Sequence, residues 1–148
     1  LIRQVGQRIN RHYKSRLKIV ATKDRARALD GADAAIASIG VHGPSKQWHK
    51  LDVEAVAQFG IMQTTGDTVG PSGISQGLRI IPIFVDLAKA MERYCPGCFL
   101  LNHSNPMGPI CRAVTKTSSI PIIGYCHNVA GGIGTFAKVL GAQPSELD

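Results

Sequence analysis

The sequence lacks a long hydrophobic segment. It has no run of about eighteen apolar residues, so we expect no membrane-spanning helix. The N-terminal residues Leu1-Ile2-Arg3-Gln4 carry a charge, and the apolar core of a secretory signal does not follow them. We therefore expect a cytoplasmic protein with no membrane partner. An initiator methionine is also missing, and we expect this chain to be an internal piece of a longer protein.

Aromatic residues are scarce, at 5% of the chain. The net charge of +7 suggests a nucleic-acid partner, and seven of the 17 basic residues precede Arg25. However, no series of aromatic side chains accompanies these basic residues as stacking platforms, and no nucleic-acid-binding motif follows them. The pattern is typical of a solvated helix face. We therefore expect no nucleic-acid partner.

Cysteine is limited to four residues, with a single C-x-x-C at Cys95-Pro96-Gly97-Cys98. A zinc site built from such pairs needs a second pair, and a thioredoxin-like site lies at the start of a helix. Here the pair precedes an apolar segment, so a redox or zinc role is the lesser alternative. Reduced thiols of a cytoplasmic protein are the expected state.

The glycine-rich turn G-x-G-x-x-G that opens a dinucleotide-binding fold is absent. The nearest cluster, Gly131-Gly132-Ile133-Gly134, comes late and has the wrong spacing. It could hold a phosphate, but a tight turn or close backbone packing is the preferred interpretation.

What the sequence does contain is typical of an α/β domain: 44% apolar residues, 16 glycines and 8 prolines among 148 residues. Short apolar runs alternate with segments of helical periodicity. This pattern predicts a parallel sheet with flanking helices and with strands buried on both faces. The predicted strands are 17–22, 32–39, 98–102 and 120–125. The predicted helices are 1–15, 24–29, 50–59, 78–91 with a kink at Pro82, 107–116 and 133–140.

Three polar clusters interrupt this alternation of strands and helices. Their positions matter because ligands of open α/β sheets bind at the carboxyl ends of strands. The clusters are Asn102-His103-Ser104-Asn105-Pro106, Gly124-Tyr125-Cys126-His127-Asn128 and the loop 66–73. Each also has a plain structural explanation. Asn105 could cap a helix, Cys126 could be a buried thiol beside a surface histidine, and Asp67 could serve a turn.

Taken in order, these motifs resemble glycoside hydrolase family four over residues 18–148. The matching segments are Asp30-Gly31-Ala32-Asp33, 63–74, 78–82, 102–107 and 124–129. The resemblance implies a Rossmann-like α/β fold of the lactate and malate dehydrogenase type, incomplete at both ends. Residues 1–148 would form one partial NAD-binding and catalytic domain. A homo-oligomer, dimer or tetramer, is also implied.

The resemblance further implies two cofactors, NAD and a divalent metal such as Mn²⁺. Hydrolysis in this family departs from the two-carboxylate scheme of most glycosidases. NAD takes a hydride from C3 of the sugar, the ketone acidifies the C2 proton, and a base removes that proton so that the leaving group departs from C1. Water then adds, and NADH reduces C3 again. The metal holds the C2 and C3 oxygens and stabilises the enediolate.

Four residues take roles in substrate chemistry by this resemblance. Cys126 would be a metal ligand and His127 the proton donor to the leaving group. Asn105 would contact the substrate's hydroxyl groups, and Asp67 would tune the catalytic base. That base and a second metal ligand, a histidine, would lie outside the chain, so the 148 residues alone should not turn over substrate.

Two further residues would meet the cofactor. Asn102 would lie near the nicotinamide ribose, and the turn that begins at Gly40 would pass under the pyrophosphate. Gly40 stands where family members that act on phosphorylated sugars have an arginine, and His42 replaces a usual glycine. With a histidine directly after Cys126, and with Gln63 and Asp67 in the loop, the chain is more similar to the branch that cleaves unphosphorylated α-galactosides, α-glucosides or α-glucuronides.

Two other functions stay open. An NAD-dependent lactate- or malate-type dehydrogenase shares the fold and the Asn-Pro after the corresponding strand, but it gives Cys126 and His127 no role. A non-catalytic, degenerate homologue is the second, because of the departures at Gly40 and His42.

Overall fold

The structure is a computed structural model, and it describes residues 1–41, 43, 47–63 and 67–147. Helices and strands alternate along most of this length. In chain order they are α1 (Ile2–His12), α2 (Arg25–Leu29), β1 (Ala34–Ala37), α3 (Gln47–Ala57), α4 (Gly70–Tyr94), β2 (Phe99–Asn102), α5 (Met107–Thr117), β3 (Ile122–Gly124) and α6 (Asn128–Leu140).

The three strands form one parallel sheet in the order β1-β2-β3. Ala37 lies opposite Asn102, and Asn102 lies opposite Gly124, so the carboxyl ends of all three strands are level. Helices connect consecutive strands, as parallel pairing requires. The predicted α/β fold, a Rossmann-like parallel sheet with flanking helices, is confirmed.

One face of the sheet carries the core, because α4 and α5 both pack there. The buried stripe of α4 follows helical spacing, and it meets Leu100 of β2 and two residues of α5. The stripe consists of Ile80, Phe84, Ala88 and Met91, and the α5 residues are Ile110 and Val114. The sequence places Leu78 on this stripe, but its side chain is 74% exposed.

The other face of the sheet is open in the part of the chain that the structure describes. Ile36 is 76% exposed and Ile123 is 54% exposed. Side chains alternate between the faces of a strand, so helices packed on one face leave every second residue uncovered. The prediction that the strands are buried on both faces is therefore wrong for these residues.

The predicted strand at 17–22 does not form. The side chain of Asn10 bonds the backbone of Leu17 instead, with Nδ2 donating to the Leu17 carbonyl (2.8 Å) and Oδ1 accepting from its N–H (3.3 Å). A strand needs a neighbour to pair with, and here a helix side chain satisfies the backbone groups of Leu17. The segment lies against α1 instead of joining the sheet, with Ile19 beside Gly6.

Three helices begin earlier than predicted. Helix α3 starts at Gln47, whereas the prediction began at residue 50. The loop at 60–73 ends at Gly70, where α4 starts with Pro71 in its first turn, a position where the missing N–H of proline costs nothing. Helix α6 starts at Asn128, so the Gly131–Gly134 cluster lies inside a helix. The predicted tight turn is therefore wrong, and because nothing lies within 4 Å of a Cβ placed on Gly131, Gly132 or Gly134, close backbone packing is not observed either. The phosphate-binding alternative stays a prediction.

The four cysteines are free thiols. Cys95 and Cys98 are both buried, and burial together with a hydrogen bond between them raises the pKa of the Cys95 thiol. Among the described residues, no helix is long and apolar enough to span a bilayer.

A buried ion pair joins α3 to α4. The carboxylate of Asp52 accepts hydrogen bonds from the Arg79 guanidinium and from Ser75 Oγ (2.7 Å). Burial alone would raise the pKa of Asp52, but the bonds from Arg79 and Ser75 and the positive charge of Arg79 outweigh it and hold the pKa below the ordinary value of 3.8. The side chain of Asp52 is 7% exposed and that of Arg79 is 27% exposed.

Asp52→Asn should destabilise the fold. The substitution leaves a largely buried guanidinium without its counter-charge, so we expect the free energy of unfolding in urea to fall by about 1–3 kcal/mol at pH 7. The folded-state pKa is lowered, so the stabilisation is complete above 3.8 and is lost as the pH falls through the folded value. Acidification through that range should therefore destabilise the wild type more than Asp52→Asn.

Glu54→Gln is the matched control on the same helix. Glu54 pairs with Lys50 at 3.5 Å, but both side chains are more than half exposed. Its loss should change the free energy of unfolding by less than about 0.5 kcal/mol. Equal losses in the two variants would mean that burial adds nothing to the Asp52–Arg79 pair.

Candidate active site

The predicted site residues follow the carboxyl ends of the three strands. Gly40 comes after β1, Asn105 after β2, and Cys126 and His127 after β3. Since the strand ends are level, these loops share one edge of the sheet. Asp67 reaches the same edge from the loop before α4, where its Oδ2 accepts a hydrogen bond from Asn105 Nδ2 at 3.3 Å.

Asn102 builds the turn that follows β2. Its side chain is fully buried, accepts from Ser104 N–H through Oδ1 (2.8 Å) and donates to the Ser104 carbonyl through Nδ2 (3.2 Å). The hydroxyl of Ser104 in turn accepts from the backbone N–H of Ile39, at 2.7 Å. The turn is thereby bonded to the end of β1. The cofactor contact of Asn102 stays a prediction, and the contacts seen are those of a turn-forming residue.

Backbone bonds complete this connection. His103 N–H donates to the Ala37 carbonyl, and Tyr125 N–H donates to the Asn102 carbonyl, each at 2.8 Å. The loop after β2 is therefore fixed to the strands on both sides. Side chains that project from it have a rigid base.

Asn105 is exposed, and its amide faces Asp67. A carboxylate only accepts hydrogen bonds, so it binds the Nδ2 end of the amide and leaves Oδ1 free as an acceptor. This arrangement suits a ligand that donates, such as a sugar hydroxyl. Helix α5 begins after Pro106 without a side-chain cap, so the helix-cap alternative for Asn105 is not the one observed.

His127 lies in a cluster of three rings. Its ring centroid is 6.1 Å from that of His103, which is 5.8 Å from that of Tyr125, and all three side chains are exposed. His127 also marks the start of α6. The family resemblance gives His103 and Tyr125 no role, although both stand inside the motifs. Only the level strand ends bring the two motifs together.

Cys126 is half-buried and free. A soft thiolate is a good ligand for a transition metal, and one such ligand is what the resemblance implies. Within residues 1–41, 43, 47–63 and 67–147, no group of three His, Cys, Asp or Glu side chains could hold a metal ion. Cys126 therefore fits as a single contributor, and this chain does not complete a metal site with its described residues.

The cofactor side of the edge is described only in part. Gly40 is exposed directly after Ile39, beside the loop that Ser104 anchors. His42, which belongs to the same turn, lies outside the described residues, as does Gly66 next to Asp67. An apolar hollow of about 420 Å³ opens on the exposed face of the sheet at this end. It is lined by Ile36, Leu101, Asn102, His103 and Tyr125.

The chain is similar to known proteins over nearly its whole length. The profile of the family described as Family 4 glycosyl hydrolase matches residues 1–142. An alpha-galactosidase of Bacillus subtilis (strain 168) is 36% identical over 136 residues, which make up 92% of this chain and 31% of that protein. The chain thus spans about a third of the length of the curated relatives it matches.

Two solved structures share the fold. One is a 6-phospho-alpha-glucosidase from gut microorganisms in complex with NAD and Mn²⁺, with a TM-score of 0.81, 20% identity and coverage of 97% of this chain and 32% of that chain. The other is a lactate dehydrogenase from Eimeria maxima with NADH and oxamate, with a TM-score of 0.63, 16% identity and coverage of 97% and 37%. At these identities the likeness shows the fold alone.

The ordered motifs, the parallel sheet and the match over residues 1–142 agree, and the chain belongs to glycosyl hydrolase family 4.

Proposed function

We propose that the protein containing this chain is a glycosidase that hydrolyses unphosphorylated α-glycosides, with NAD and a divalent metal such as Mn²⁺ as cofactors. The observation that carries the proposal is the Asn105–Asp67 contact at the edge of the sheet that also bears Cys126 and His127. The contact joins an amide to a carboxylate, and a thiol and an imidazole follow the end of the neighbouring strand β3. Family membership supplies the reaction that uses such a set.

The preference for an unphosphorylated sugar rests on two observations. The turn after β1 has Gly40 where a phosphate-binding arginine is expected, and a glycine offers no charge to a phosphate. The relative named alpha-galactosidase is 36% identical to the chain over 136 residues, and a relative named probable 6-phospho-beta-glucosidase, from the same organism, is 33% identical over 133 residues. The substrate class proposed is therefore a neutral or uronic α-glycoside.

The chain's own residues bind the sugar and move a proton. Asn105 accepts a hydrogen bond from a sugar hydroxyl through Oδ1 while Asp67 holds the other end of its amide. Exposed His127 donates a proton to the departing glycosidic oxygen as a general acid. Asp67 places negative charge beside the substrate hydroxyls. This charge makes the catalytic base a stronger acceptor for the proton that it removes from the sugar. Asn102 supports these groups by fixing the turn after β2.

The two cofactors supply reversible oxidation at the sugar's C3 and stabilisation of the negative charge that follows. Cys126 is the residue here that would bind the metal, and the exposed Gly40 turn and the loop of Asn102 would face NAD. The remaining ligands would come from outside the described residues.

A panel of nitrophenyl glycosides tests the proposal. The full-length protein should cleave an α-galactoside, α-glucoside or α-glucuronide only when NAD and Mn²⁺ are both present under reducing conditions, as measured by released nitrophenol. Reducing conditions keep Cys126 a thiol.

Three results would contradict this expectation. Cleavage that persists after removal of NAD and chelation of metal would show a different glycosidase mechanism. NADH formation from a 2-hydroxy acid without cleavage of any glycoside would favour the dehydrogenase alternative. Absence of both activities would favour the non-catalytic homologue.

His127→Gln should separate substrates by their leaving groups. A dinitrophenolate departs without protonation, whereas an alkoxide does not, so loss of a general acid affects only the latter strongly. We expect kcat/KM for a methyl α-glycoside to fall by about 10²-fold or more, and that for a dinitrophenyl α-glycoside by less than about tenfold.

His12→Gln provides the control for this test. His12 is the last residue of α1 and is exposed. Among the described residues, its one ring contact is with the neighbouring Tyr13. Both rate constants should stay at the wild-type value. Equal losses on the two substrates in His127→Gln would rule out His127 as the proton donor.

A further inference from the structure

We propose that Gln63 is a positioning residue that holds Asp67 against Asn105 from a distance. The catalytic consequence rests on the glycosidase function proposed above, but the structural claim does not. Gln63 precedes the loop that carries Asp67, and its side chain bonds the far end of that loop.

The amide of Gln63 uses both of its ends. Nε2 donates to the Val69 carbonyl at 2.9 Å, and Oε1 accepts from the backbone N–H of Ser72 at 3.1 Å. Ser72 belongs to the first turn of α4, where backbone N–H groups have no partner within the helix. Gln63 therefore substitutes for the missing partner, as a capping side chain does, although it lies nine positions before Ser72.

We call the two hydrogen bonds from Gln63 to Val69 and Ser72 the clamp. The hydroxyl of Ser72 connects the clamp to helix α3. Its Oγ lies 2.7 Å from Gln63 Oε1 and 2.8 Å from the Asp52 carbonyl, and its single proton serves one of the two at a time. Asp52 is the residue that pairs with Arg79 of α4. The clamp is thus attached to the rigid contact between α3 and α4, and the Ser72 side chain is 1% exposed.

Two glycines show how closely the loop packs here. A Cβ on Gly73 would lie 2.9 Å from the Thr68 carbonyl carbon, and a Cβ on Gly70 would lie 2.6 Å from Gln63 Nε2. Gly70 also has φ of +71°, which other residues adopt only with strain. Residues 67–69 therefore lie directly against the start of α4, with no space for side chains between them.

Asp67 depends on this packing for its place. Its described partners are Thr68 Oγ1 at 3.0 Å and Asn105 Nδ2 at 3.3 Å, and neither is a charged group. The 3.3 Å contact is near the limit for a hydrogen bond, so a small shift of the loop would break it. Gln63 fixes Val69, two residues away, and thereby the position of the carboxylate.

The structural claim is tested in the full-length protein by NMR with ¹⁵N-labelled asparagine and by hydrogen exchange. In Gln63→Ala, Ser72 N–H loses its acceptor, and its exchange should become faster by about tenfold or more. The side-chain amide resonance of Asn105 should shift in the same direction as in Asp67→Ala. Unchanged Ser72 exchange or an unchanged Asn105 resonance in Gln63→Ala would overturn the proposal, whatever the activity.

Glu92→Ala is the matched control. Glu92 lies near the other end of α4, where its carboxylate accepts from the N–H (2.6 Å) and the hydroxyl (2.9 Å) of Ser119. This variant also removes a side-chain acceptor that joins α4 to a loop, but far from Asp67. Ser72 exchange and the Asn105 resonance should stay as in the wild type. Changes equal to those in Gln63→Ala would mean that any destabilisation of α4 has the same effect, and they would overturn the proposal.

A double-mutant cycle tests the catalytic consequence. Gln63→Ala should lower kcat/KM by about tenfold to a hundredfold, since misplacement of a site residue costs that much. In the Asp67→Ala background the same substitution should have no further effect, because Gln63 acts through Asp67. If the loss of kcat/KM in the double variant equalled the product of the losses in the two single variants, Gln63 would act independently of Asp67. This result would overturn the positioning role. A wild type without glycosidase activity would instead refute the proposed function, and the NMR result would still decide the clamp.

Discussion

Parallel pairing in register brings Ala37, Asn102 and Gly124 level, and this alignment positions the loops of the candidate site that follow the three strands. Buried Asn102 then folds the chain back so that Ser104 bonds the end of β1, while the Asn102 carbonyl accepts from Tyr125 after β3. The edge of the sheet is consequently one hydrogen-bonded unit. Asn105 is rigidly placed because of it.

Helix α4 serves both the core and the site, and its two roles meet at Ser72. Further along the helix, Ile80, Phe84 and Met91 fill the core. At its start, Ser72 contacts both Gln63 and the Asp52 carbonyl. The buried ion pair and the loop of Asp67 therefore share one structural support, and a change in either is expected to be felt at the other.

Much of the fold could be predicted because it depends on local pattern. Apolar runs and helical spacing correctly predicted β2, α5 and the parallel sheet, and the short helix predicted at 24–29 corresponds to α2 (Arg25–Leu29). The failures occurred where contacts between separate segments decide the outcome. The side chain of Asn10 bonds the backbone of Leu17, which joins no strand, and packing against α5 buries Ile80 where the spacing had selected Leu78.

The order of residues determines which chemical groups are available to the candidate site, because Asp67, Asn105, Cys126 and His127 occur in motifs that can be recognised without coordinates. It leaves open which of them meet. The Asn105–Asp67 contact, the approach of His103 to His127 and the clamp of Gln63 each join segments whose separation along the chain says nothing about distance. Only strand register and the packing of α4 bring them together, since hydrogen bonds and ring contacts need atoms within a few ångströms.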